Sequence, residues 1–173
     1  ESLLALGIIF ATLAIPLAFD GNVSAAIWAL EGAGVVWLSL RQQRRLALFF
    51  GIALQFLAGL AFIAGMHSAS NVPILNGNFI GGLMLALAGL FCGWQLHKTD
   101  NDFWLRYQSK LHTTGWVLSA WGLLWWVSSH SNEIQRFIDY SQRNLAFVIF
   151  AVLTSTIFSF IWQRQQWAAA RWP

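Results

Sequence analysis

The chain has 173 residues, 57% of them hydrophobic and only 10% charged, with 10 Lys plus Arg against 7 Asp plus Glu and a net charge of +3. A soluble domain carries roughly a quarter charged residues, so this composition argues against simple soluble globularity, disorder and fibrous repeats, and for a multi-span membrane protein. The basic residues are dispersed between apolar runs, which reads as a membrane-topology signal and not as a nucleic-acid surface.

Six apolar stretches follow in chain order: Ser2 to Phe19, Val23 to Leu40, Leu46 to Met66, Asn78 to Leu96, Leu111 to Val127 and Asn144 to Trp162. None alternates as a barrel strand would. Lipid also offers backbone groups no partner, so each stretch is expected to be a helix. The fifth is expected to begin earlier, at Asp102, with Phe103, Trp104 and Tyr107 in the interface. The expected fold is thus an all-α, polytopic transmembrane bundle of about six spans in a single domain over 1–173. The span ranges are 2–19, 23–40, 46–66, 78–96, 102–127 and 144–162.

Orientation comes from the loops. Arg41, Arg44, Arg45, Lys98, Arg106, Lys110, Arg164 and Arg171 fall on one side of this arrangement. Arg136 and Arg143 fall on the other, so both ends are expected to be cytoplasmic. Trp94, Trp104, Trp125, Trp126, Trp162, Trp167 and Trp172 lie near the expected span ends, where an indole combines an apolar ring with a polar N–H. In the link from Ser128 to Arg143, Asn132 and Gln135 have capping-box spacing. A short surface helix over 132–141 is expected, burying Ile134, Phe137 and Ile138.

Glu31 is the sharpest feature. It lies halfway along the second stretch, about 12 Å from either boundary at ~1.5 Å per residue. A carboxylate there costs several kcal/mol unless it faces protein, water or a ligand. Its candidate partners are Gln55 in the third stretch and Thr154, Ser155, Thr156 and Ser159 in the sixth. The residue is either a ligand- or proton-binding carboxylate or a structural hydrogen-bonding group, and the sequence leaves both open. Gly89 and Gly93, with Gly82 before them, have the small-x-x-x-small spacing of close helix contacts. Pro16 could kink the first span. Cys92 is the only cysteine and reads as a small buried hydrophobe.

No phosphate loop, His-Glu-x-x-His or Gly-x-Ser-x-Gly is present, and His67, His97, His112 and His130 are isolated. No catalytic residue, cofactor or metal is therefore expected. The chain opens Glu1-Ser2-Leu3-Leu4 without an initiator Met or a basic leader, and reads as a segment of a longer protein.

Trp28-Ala29-Leu30-Glu31-Gly32 follows Ile15-Pro16-Leu17-Ala18 and the turn Asp20-Gly21, and precedes the basic loop Arg41 to Arg45. This succession resembles the multi-pass bacterial membrane proteins grouped as domain of unknown function 2339, most specifically over residues 10 to 45. The resemblance implies a bacterial inner-membrane location and an internal segment of a longer chain, and it supports marking Glu31. It implies no activity.

Three functions follow as expectations. The first is a structural or interaction module of a larger inner-membrane envelope protein. The second is transport, or intramembrane binding of a small ligand or proton, at Glu31. The third is the membrane part of an enzyme whose active residues lie elsewhere. The expected partners are the lipid bilayer, further spans of a parent chain and other envelope membrane proteins, with no nucleic acid.

Overall fold

The computed structural model describes residues 21–65, 72–99 and 102–165. The first expected span, Pro16, Asp20, His67, Trp167, Arg171 and Trp172 lie outside these residues.

The described residues form α1 (Gly21–Gln42), α2 (Arg45–Gly65), α3 (Gly77–Lys98), the single turn α4 (Asp102–Leu105), α5 (Gln108–Phe137), a 3-10 turn (Tyr140–Gln142) and α6 (Arg143–Gln165). No strand occurs among them. The architecture is an all-α membrane helical bundle. Three helices are long and apolar enough to cross a membrane by length and composition: Arg45–Gly65, Gly77–Lys98 and Tyr140–Ile161. α1 and α5 run alongside them, with their apolar character diluted by Ser, Gly, Glu31 and the His and Thr residues of α5.

Small residues draw the helices together in two seams. In the first, α1 lies on α2 with Gly32 against Gly51; a Cβ on Gly32 would sit 3.0 Å from the Gly51 carbonyl oxygen. In the second, α3 lies antiparallel to α5. Gly82 meets Ser129, Gly89 meets Gly122 and Gly93 meets Ser119. Lipid supplies no hydrophobic drive for helix association, so close van der Waals approach between small residues carries much of it. The Gly82, Gly89 and Gly93 spacing in the sequence is realised in this second seam. Ala25, Ala29, Val36, Leu85, Ala86, Cys92 and Leu118 fill the interior between the seams. α6 packs on α5 and is otherwise open to the surroundings.

The helix ends are closed by side chains. Asn76 accepts the Phe79 N–H at 2.8 Å and caps α3. At the end of α1, Gln43 takes φ 57° and the Arg44 N–H reaches back to the Ser39 carbonyl at 3.0 Å. That is a left-handed C-cap of the kind glycine usually fills. Arg143 donates to the carbonyls of Ile138 (3.0 Å) and Gln135 (2.7 Å), satisfying acceptors at the end of α5.

Two expected elements differ. The range 102–127 is not one helix: α4 ends at Leu105, a turn occupies Arg106 and Tyr107, and α5 begins at Gln108. Trp104 sets the break: it is buried and donates its Nε1–H to the Leu40 carbonyl at 3.2 Å. This ties α4 beneath the end of α1. A separate helix over 132–141 is also absent. Residues 132–137 are the last turns of α5, because Ser128 to Phe137 contains neither Gly nor Pro to interrupt the helix. Within that stretch Ile134 is buried, Phe137 is half-buried and Arg136 is exposed.

Candidate functional site

Glu31 lies two turns and more from both ends of α1. The fully packed face of that helix is Ala25, Ala29, Gly32, Val36 and Ser39. Glu31 stands at its margin with Ile27 and Val35, and all three are half-buried. Its Oε2 is shielded from solvent.

Gln55 lies against the same turn. It is wholly buried and donates its Nε2 hydrogen to the Ala29 carbonyl at 2.6 Å. Its amide also abuts Gly32, where a Cβ would stand 3.1 Å from Nε2. The glycine at 32 therefore makes room for the glutamine head. The other amide atom, Gln55 Oε1, is buried with no hydrogen-bond partner among the described residues. A buried amide acceptor without a donor is costly, by about 1–3 kcal/mol.

The sixth-stretch hydroxyls are arranged differently. Thr154 is buried on the α5 side and accepts the Trp126 Nε1–H at 3.2 Å. Ser155, Thr156 and Ser159 are exposed, and the Thr156 hydroxyl donates to the Val152 carbonyl one turn earlier at 2.7 Å. Of the candidate partners of Glu31, the structure brings Gln55 to its turn and seats Thr154 on α5.

Three clusters escaped the sequence. In the first, Glu133 near the end of α5 accepts the Ile74 N–H on Oε2 at 2.9 Å and the Asn76 Nδ2 hydrogen on Oε1 at 2.8 Å. Asn76 also donates to the Val72 carbonyl at 3.1 Å, so one carboxylate and one amide hold the 72–76 loop on α5. Ile74 has φ 63°, a left-handed conformation that a β-branched residue avoids. In the second cluster, His97 donates Nδ1–H to the Gly93 carbonyl at 2.7 Å. Its ring centre lies 5.6 Å from that of His112 and 5.4 Å from that of Trp116. In the third, His130 donates to the Trp126 carbonyl at 2.7 Å and stacks on Phe150 at 4.8 Å. The sequence signal for the first cluster was the Asn76-Gly77 pair ahead of an apolar run, which is a helix-start pattern.

Among the described residues no three of His, Cys, Asp and Glu converge to hold a metal. The arrangement can bind through hydrogen bonds and can pack against further helices. No curated protein and no solved structure matches the chain. One family model does, described as "Predicted membrane protein (DUF2339)", and it matches residues 1–173. The chain belongs to this membrane-protein family, and its apolar helices contact the lipid bilayer.

Proposed function

We propose that this chain is an interaction module of a larger multi-pass protein of the bacterial inner membrane. One observation carries the reading: α6 offers a second helix a seat. Its most apolar stretch is only 11% buried within the bundle. Leu145, Val148, Ile149, Val152 and Leu153 are exposed, as suits lipid. On another side of the helix, however, Ala151, Ser155 and Ser159 repeat at a spacing of four residues and are also exposed. Ser155 and Ser159 border an open groove of about 400 Å³ that Thr156, Phe160 and Gln163 share. Hydroxyls and small side chains gain nothing from lipid tails, but they let another helix approach closely and bond across the contact. The occupant is a further span of the parent chain or a helix of another envelope membrane protein.

A photoreactive benzoylphenylalanine at Ser155 tests this in native membranes. It should yield a covalent adduct with a membrane-protein helix, while the same probe at exposed Leu153, on the opposite side of α6, should label lipid. Lipid labelling alone at both positions refutes the reading.

A second reading is favoured by Gln55 Oε1, a buried acceptor on the side chain that bonds the carbonyl of Ala29, two residues before Glu31. In it, the pair binds a small cationic ligand or a proton within the bilayer. A screen of small organic cations should then find one that raises the melting temperature of the purified chain. Glu31→Gln, folded to the same helix content, should lose that response. A variant that responds like the parent leaves Glu31 a structural role.

A further inference from the structure

At the end of the bundle that gathers Arg41, Arg45, Arg106 and Lys110, α2 and α5 part. Further along they touch, where Trp121 lies on Gly59 and Phe62 meets Trp125 edge to face at 5.3 Å. Between the parted ends lies a cavity of about 360 Å³. That is within the roughly 300–1,000 Å³ of small-molecule sites. Its walls are apolar: Leu48, Phe49 and Ile52 from α2, Leu96 from α3 and Leu111 from α5. Trp104 of α4, anchored to Leu40, also lines it. Tyr107 and Thr114 add two hydroxyls, and Arg45 and Lys110, each at the start of its helix and each exposed, complete the lining.

Arg45 is held in place. Its guanidinium carbon lies 4.4 Å from the ring centre of Tyr107 and 5.1 Å from that of Phe103. Cation–π contacts orient the group without neutralising its charge. Among the described residues no carboxylate pairs with Arg45 or Lys110. Two cations with no carboxylate partner among the described residues thus stand over an apolar cavity. From Arg45 to Ile52 the wall descends about 10 Å along α2, at ~1.5 Å per residue.

We propose that this cavity binds one anionic phospholipid of the phosphatidylglycerol type. The guanidinium fork meets two phosphate oxygens and Lys110 adds a point charge. The glycerol backbone and the first part of an acyl chain lie on Leu48, Phe49, Ile52 and Leu111. Charge complementarity selects the anion, and basic pockets between spanning helices are suited to such headgroups. The apolar wall selects lipid over free phosphate, which would leave that surface empty. Phe49 is 73% exposed on the rim, so the cavity opens sideways, where lipid is.

Native mass spectrometry of the detergent-purified chain tests this by titration with dioleoyl-phosphatidylglycerol, dioleoyl-phosphatidylcholine and inorganic phosphate. The expected result is one saturable phosphatidylglycerol, retained at least tenfold more tightly than phosphatidylcholine and not displaced by phosphate at equal concentration. The double exchange Arg45→Gln with Lys110→Gln should abolish that preference. The charge-matched control Arg41→Gln with Arg106→Gln should keep it. All four side chains are exposed, so helix content should not change. Ile52→Trp, which fills the apolar part, should weaken retention while the cations remain. Equal retention of the two lipids, displacement by inorganic phosphate, or equal loss in both double variants would overturn the proposal.

Discussion

Adding one methyl group at Gly122 tests whether the α3–α5 seam holds the bundle together. A Cβ there would lie 2.6 Å from the Leu90 backbone nitrogen and 2.8 Å from the Ala86 carbonyl oxygen. Both are main-chain atoms, so no side-chain rotation relieves the clash. Ordinary contact begins near 3.4 Å, so α3 and α5 have to separate locally by about 0.8 Å. Overpacking of this kind costs about 1–3 kcal/mol. Alanine also returns up to about 1 kcal/mol of helix propensity, and that term has to be removed. Gly34 provides the reference, since it is exposed in α1 and a Cβ there meets nothing within 4 Å. Gly34→Ala should be neutral or stabilising by up to about 1 kcal/mol, and Gly122→Ala should fall about 1–3 kcal/mol below it. Reversible unfolding in mixed micelles, followed by circular dichroism, measures both. Equal stability of the two variants would refute the seam.

Three further outcomes are expected. Asn76→Ala removes the cap of α3 and should cost about 0.5–2 kcal/mol, while Glu133→Gln should speed hydrogen exchange at the Ile74 amide; unchanged exchange would show that the carboxylate does not hold the loop. Cysteines at exposed Gln43 and Ser141, in a chain with Cys92→Ala, should label from opposite sides of intact membranes; labelling from one side would end the proposed topology, in which the Arg41–Arg45 end is cytoplasmic. Trp104→Phe keeps a ring but loses the bond to Leu40, and should cost about 0.5–1.5 kcal/mol by thermal unfolding.

Much of the bundle was legible because lipid allows few alternatives. Apolar runs between basic loops had to be helices, and the Gly82, Gly89 and Gly93 spacing pointed to the face that meets α5. That Gln55 faces protein was legible, because a polar amide in a spanning helix needs protein around it. The orientation of the α6 hydroxyls was not legible: that helix is apolar nearly all round, so no stripe marks an inner face. The break before α5 was hidden too, because no Gly or Pro signals it and the cause is a tertiary bond from Trp104. Asn132 and Gln135 misled for a related reason. Capping-box spacing matters only where a helix starts, and here the preceding turns simply continue.

The length of α5 has a consequence for which sequence changes the molecule tolerates. Its 30 residues extend about 45 Å, against roughly 30 Å of hydrocarbon. Gly122 serves the seam and Glu133 holds the loop, eleven residues later in the same uninterrupted helix. Eleven residues are close to three full turns, so both point to the same side. One residue inserted between them would swing Glu133 by about 100° around the axis and carry it off the 72–76 loop while the seam stayed in register. A deletion would do the same in the other direction. Length variation belongs instead at 138–142, where the chain leaves α5 and the register has already been used.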